Sequence, residues 1–295
     1  MGQRISDWYS RPPFVAVFFC LGNHDGESSE GRRGEDRDKT NQPSGAEPTR
    51  IWSVNARKKY FPNPFPDSRS KNSFYSGNQA EVPNVGLIED CYAWHWGNSL
   101  FIVLDPFWYS TGRAKTEGDH WHQTLGKDQY QWLVKTLTES KAQFKFVFIH
   151  HLVGGADRNN RGGIASAPFF EWGGKELDGT RTFAKHRPNW KLPIHDLLVK
   201  HGVSIIFHGH DHLYAKEEMD GIIYQAVPQP GHPRFGNVRS AEEYGYHGEV
   251  ISSSGHLRIS VSSDSARVDY VRAYLPKDES SRRTNGEISA SYIVK

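Results

Sequence analysis

Three short clusters in this sequence are rich in side chains that bind metals or carry protons. They are Asn23-His24-Asp25, His150-His151 and His208-Gly209-His210-Asp211-His212. Imidazole and amide ligands suit borderline transition metals such as Zn, Mn or Fe. Histidine also titrates near neutrality, which fits it to hand a proton to a departing oxygen. In an extended chain His210 and His212 share a face, so each can serve one metal of a side-by-side pair. Gly209 removes a Cβ where the chain is expected to turn sharply.

These clusters need elements that bring them together. Each follows an apolar run of strand length: residues 14–21, 144–149 and 203–207. A fourth run, 101–104, ends in Asp105. Runs that are apolar throughout read as strands buried on both faces. In open α/β sheets, sites form beyond the carboxyl ends of such strands. Between the clusters, the pattern predicts a short helix over 51–61 that stops at Pro62, and a hairpin of 92–96 and 101–104 around Gly97-Asn98. Tyr130, Leu133 and Leu137 predict an amphipathic helix over 127–140, and Pro193 opens another to Lys200. Residues 26–49 read as a polar surface loop. Residues 154–192 read as a long functional loop whose Arg158, Arg161 and Arg187 can pair with phosphate or stay solvated. Beyond His212 the pattern turns all-β, with strands over 221–227, 256–262 and 267–273.

Composition narrows the class. The 295 residues include 16 Phe, 13 Tyr and 9 Trp, enough for a core. A net charge of +2 gives no footprint for nucleic acid. No apolar run reaches the roughly 18 residues of a membrane helix. Two cysteines, Cys20 and Cys91, exclude a disulfide scaffold and a cysteine-based zinc module. The opening Met1-Gly2-Gln3-Arg4-Ile5-Ser6 fits a loose myristoylation pattern. Neither a signal-peptide cleavage site nor an Asn-x-Ser/Thr sequon is present, so the chain itself assigns no compartment.

Gly22-Asn23-His24-Asp25, a histidine after an apolar strand, and Gly209-His210-Asp211-His212, in this order, resemble the last three sequence blocks of the calcineurin-like metallophosphoesterases. The stretch from Trp94 through Trp132 to His212 resembles bacterial members of that superfamily, some of them purple-acid-phosphatase-like. The resemblance covers roughly residues 14–215 and extends to the β-rich part beyond. It implies an α/β fold of two packed mixed sheets flanked by helices, in one domain over residues 1–295 with a β-rich part at about 215–295. It implies a centre of two ions, each Mn, Fe or Zn. Asn23, His150 and His210 would bind the second ion and His212 the first. His24 would be the catalytic histidine and Asp25 would orient it. His150 rather than His151 is the expected ligand. The implied reaction is hydrolysis of a phosphoester by a hydroxide bridging the two ions.

The family's two earlier blocks, Asp-x-His and Gly-Asp-x-x-Asp/Asn/Tyr, do not precede Asn23. The chain therefore reads as the C-terminal three-quarters of a phosphoesterase whose first strands are missing, and secretion or a periplasmic site would be encoded in the missing part. Asp105 and the segment Gly118-Asp119-His120-Trp121-His122 hold the residues able to replace the absent ligands, although a structural role is expected of Asp105. Two functions follow. One is a metal-dependent phosphoesterase, acting on a phosphoester without nucleic-acid or membrane partners. The other is a catalytically dead fragment or pseudoenzyme binding at most one metal. A third, a β-rich binding module over 215–295, has the least support.

Overall fold

The computed structural model describes residues 16–28, 49–67, 73–111, 119–155, 161–232, 238 and 240–295. Phe14, Val15, Arg158, Gly118 and most of the polar stretch after Ser28 lie outside the described residues. In chain order come helix α1 (Thr49–Tyr60), strands β1 (Tyr75–Gly77), β2 (Glu81–Val82) and β3 (Gly86–Leu87), and the hairpin of β4 (Tyr92–Trp96) and β5 (Ser99–Val103). A 3-10 turn (Asp119–His122), helix α2 (Lys127–Glu139) and strand β6 (Phe144–Ile149) follow. Next are the short helices α3 (Phe170–Gly173), α4 (Phe183–His186) and α5 (Ile194–Lys200). The rest is strand: β7 (Ile205–His208), β8 (Leu213–Met219), β9 (Ile222–Ala226), β10 (Glu249–Ser252), β11 (Gly255–Val261), β12 (Ala266–Arg272) and β13 (Ile288–Val294).

Eight strands form one sheet in the order β1-β4-β5-β6-β7-β9-β8-β10. The central neighbours β5, β6, β7 and β9 run parallel, and the outer pairs are antiparallel. Strands β11-β12-β13 make a second, antiparallel sheet. The period of two explains why the central strands are apolar throughout. Phe144 and Phe146 of β6, with Ile205 and Phe207 of β7, face Val268 and Ala266 of the second sheet. Val147, Ile149 and Ile206 face the other way, against Leu133 and Leu137 of α2 and Leu197 and Leu198 of α5. The architecture is thus two packed sheets with helices on the large one, as the resemblance implied. Among the described residues no helix is long and apolar enough to cross a membrane.

The hairpin forms as expected. Trp96 pairs with Ser99 across a two-residue turn, and Gly97 takes the left-handed φ of 59° that such turns need. Helix α2 buries Tyr130, Leu133 and Leu137. Helix α5 starts one residue after Pro193.

One expected strand is absent. Residues 16–21 lie in no ladder. Side chains satisfy this backbone instead: Asn63 accepts from the Phe19 N–H and donates to the Phe19 carbonyl, each at 3.2 Å, and the Tyr92 hydroxyl donates to the same carbonyl at 2.9 Å. The Phe18 ring stacks on Trp94 at 4.3 Å. Sequence pattern alone does not separate this apolar run from a true strand, because partnering by distant side chains leaves no local trace. Strands β8 and β13, missed by pattern, mix exposed and buried positions, and β10, also missed, buries none fully.

Candidate active site

Parallel pairing sets two of the clusters side by side. Ile149 is the register partner of His208 at the ends of β6 and β7. The Gly209 N–H still donates to the His150 carbonyl at 2.9 Å, one step beyond the sheet. Next to them the Leu104 N–H donates to the Phe148 carbonyl, which brings the end of β5 to the same edge. The Gly22-Asn23-His24-Asp25 turn closes on itself: the Asp25 N–H donates to the Gly22 carbonyl at 3.0 Å, and Asp25 Oδ2 accepts from the Gly22 N–H at 2.7 Å. Asn23 and His24 sit exposed at its tip. Gly22 lies on the His150 ring, where a Cβ would stand 3.1 Å from Cε1.

The result is a convergence of donors. His150 Nε2 lies 2.9 Å from Asn23 Oδ1 and 3.2 Å from His210 Nδ1. Ligands bonded to one transition metal at about 2.0–2.2 Å stand about 3 Å from each other, so this spacing fits a shared ion. Burial, reinforced by the neighbouring His151, His210, His24 and His212, pushes the His150 imidazole down to about 2. A ring held neutral is the form that ligates a metal. His212 is exposed, and burial of part of its ring, with His210, His232 and His24 close by, lowers it as well. Among the described residues no group of three His, Cys, Asp or Glu side chains forms a cage; this constellation is two imidazoles and an amide.

The remaining histidines of the clusters are packed. His151 Nδ1 meets the Leu152 carbonyl at 3.0 Å, and burial, then His210, holds that ring down to about 3. His208 is buried with its ring parallel to Tyr246, and burial, then His210, lowers it to about 4. Phe107 lies against both His150 and His151, with ring centroids 5.7 and 5.2 Å away.

Asp105 does not reach the donors. Its oxygens accept from the Phe107 and Trp108 N–H groups at 3.0 and 2.9 Å, and its carboxyl shares a hydrogen bond with Asp90. Gln129 of α2 grips its backbone on both sides, at 2.9 and 2.8 Å. Asp105 therefore holds Phe107, which backs the histidines. In the segment 118–122, the other source of substitutes weighed from sequence with Asp119 in it, His120 is stacked on Phe170 at 4.4 Å and bonded to the Gly155 carbonyl. Arg187 is bound to the buried Glu171 and the Trp121 carbonyl, so it braces the loop rather than meeting phosphate. Arg161 lies over the Tyr244 ring at 4.3 Å.

The turn itself differs from the expected extended geometry. Left-handed backbone falls on His210 and His212, at φ 75° and 59°, rather than on Gly209. Strand β7 ends at His208, so the two histidines do not share a strand face. The residues that hold this turn, Tyr246 and Ser253, carry no local sequence signal.

No family model and no curated protein matches the sequence. Solved structures do match in shape. PhoD superposes with a TM-score of 0.50 at 15% identity, over 85% of this chain and 49% of PhoD. The chain has the fold of PhoD. It spans about half of PhoD's length. Weaker likeness links it to GAP50, the anchor in the inner membrane complex of Plasmodium (TM-score 0.41, 13% identity, 83% of this chain and 62% of GAP50). A purple acid phosphatase from yellow lupin (Lupinus luteus) seeds gives 0.38 at 14% identity, over 74% of this chain and 39% of the phosphatase.

Proposed function

We propose that this protein is a metal-dependent phosphoester hydrolase of the calcineurin-like type. The observation that carries the reading is the meeting of Asn23 Oδ1, His150 Nε2 and His210 Nδ1 at one point beyond the parallel strands. It is supported by the fold shared with PhoD. Asn23, His150 and His210 would hold one ion of Mn, Fe or Zn, and His212 would serve a second. Such ions, when bound, draw charge from the phosphoryl oxygens and make water acidic enough to attack at neutral pH.

The chain's own groups do the rest. The closed Gly22–Asp25 turn presents His24 beside Asn23, where its imidazole donates a proton to the leaving oxygen. Asp25 fixes that turn through the Gly22 N–H. His151, Phe107 and Asp105 form a packed floor that keeps His150 in one orientation, so the donors meet without reorganisation.

The test is hydrolysis of an aryl phosphate monoester and an aryl phosphate diester by the chain loaded with Mn, Fe or Zn. Turnover is expected with at least one ester. His24→Asn should lower kcat by about 10²–10⁴-fold with metal content unchanged. His210→Ala should lose bound metal together with turnover. A metal-loaded chain that cleaves neither ester refutes the reading.

A further inference from the structure

The turn that carries His210 and His212 is bent against its own preference. Both residues lie in the left-handed region, which disfavours any residue with a Cβ. Asp211 lies between them, and its N–H closes tightly onto the Gly209 carbonyl at 3.0 Å. Contacts from outside must hold such a turn.

The strongest of these run through Asp211. Its Oδ2 accepts from the Tyr246 hydroxyl at 2.6 Å and from the Gly162 N–H at 2.8 Å. Hydrogen bonds to a charged carboxylate are about twice as strong as neutral ones. Tyr246 is itself locked, 3% exposed, with its ring parallel to His208 at 6.2 Å. The Ser253 hydroxyl adds a bond to the His212 carbonyl at 2.7 Å. Asp211 and Tyr246 thus join the histidine turn to a segment 35 residues away.

We infer that Asp211 and Tyr246 form a single clamp that positions His210 toward Asn23 and His150. Both are positioning residues. The clamp sets the 3.2 Å approach of His210 Nδ1 to His150 Nε2 by holding the backbone of His210 left-handed. Without it the turn relaxes and the third donor swings away. The inference rests on the metal-binding role proposed above and names what sets the affinity of that site.

Zn²⁺ binding by titration calorimetry tests it on the full chain, with thermal melting of the metal-free proteins measured alongside. Asn23→Ala identifies which binding event belongs to this site. Tyr246→Phe keeps the ring against His208 and removes only the hydroxyl. It should raise the Zn²⁺ Kd about tenfold, the scale seen for groups that orient ligands. Asp211→Ala should do the same, and Asp211→Asn, which keeps an acceptor, should recover most of the loss. The Asp211→Ala/Tyr246→Phe double variant should bind no worse than either single one, because removing one end already opens the clamp. Two outcomes overturn the inference: unchanged Kd values with lowered melting temperatures, or single effects that multiply to about a hundredfold. If wild-type protein shows no Zn²⁺ binding that Asn23→Ala abolishes, the proposed function fails first and the clamp with it. If wild type binds and Tyr246→Phe binds equally, only the clamp fails.

Discussion

Replacing Asp90 by asparagine is expected to stabilise this protein increasingly as pH rises. Asp90 and Asp105 are 2% and 1% exposed and share a hydrogen bond. Asp90 Oδ1 accepts from the Cys91 N–H at 2.8 Å, while Oδ2 finds no other donor among the described residues. Two buried carboxylates in contact cannot both be charged, so a proton sits between them. Burial, then the charge of Asp90, pushes Asp105 well above the usual carboxylate range, and burial raises Asp90 too. The unfolded chain releases these protons near pH 4. Above that pH the folded state binds one proton more than the unfolded state. Stability therefore falls as pH rises, by about 1.4 kcal/mol per pH unit for each proton retained, until the folded pair finally ionises. The amide introduced by Asp90→Asn would donate to Asp105 without holding a titratable proton, which removes that slope. The stability of the variant relative to wild type should therefore rise from pH 5 to pH 7, for as long as the folded pair keeps its proton. Urea denaturation of both proteins at pH 5, 6 and 7 measures this, and the difference cancels every group that titrates alike in both. A difference that does not change with pH, or a variant less stable throughout, would refute the shared proton.

Two other substitutions probe the core and the site. The buried Tyr224 hydroxyl accepts from Trp172 Nε1 at 2.9 Å and meets His195 Nδ1 at 2.7 Å. Tyr224→Phe leaves both groups without that partner, at a cost of about 2–4 kcal/mol in chemical denaturation; a loss below about 0.5 kcal/mol would show that other partners replace it. Gly22→Ala places a methyl 3.1 Å from His150 Cε1, so the ring has to give by a few tenths of an ångström. It should cost about 1 kcal/mol of stability and weaken Zn²⁺ binding, and unchanged calorimetry on the variant would show that the ring yields freely.

What could be read from sequence follows a physical boundary. The helix of Tyr130, Leu133 and Leu137 was legible because burial of one face imposes a period, and the strands that carry Phe146 and Ile206 because burial of both faces makes a run apolar throughout. The donors Asn23, His150 and His210 were legible as types following apolar runs, and the fold does bring them together. The supports were not legible. Asn63 replaces a strand partner for Phe19, Gln129 grips Asp105, and Tyr246 reaches Asp211, each across 24 or more residues. Such contacts are set by the closed fold and leave no spacing in the chain. The run at 14–21 misled for the same reason: its composition is that of a buried strand, while its described part is held by an amide and a phenol.

That tethered segment divides the site into two parts of unequal permanence. His150 and His210 follow central parallel strands packed on both faces, the part of the fold that opens last. Asn23 and His24 belong to a stretch outside every ladder, fastened by Asn63, Tyr92, the Phe18–Trp94 stack and the ion pair of Glu27 with Arg57. Its detachment is a sub-global event, with its own free energy below that of unfolding. A ligand spanning Asn23 and the two imidazoles crosses the seam between these parts. Occupancy then acts as a rivet, and the amide protection of residues 16–28 becomes a reporter of whatever the site holds.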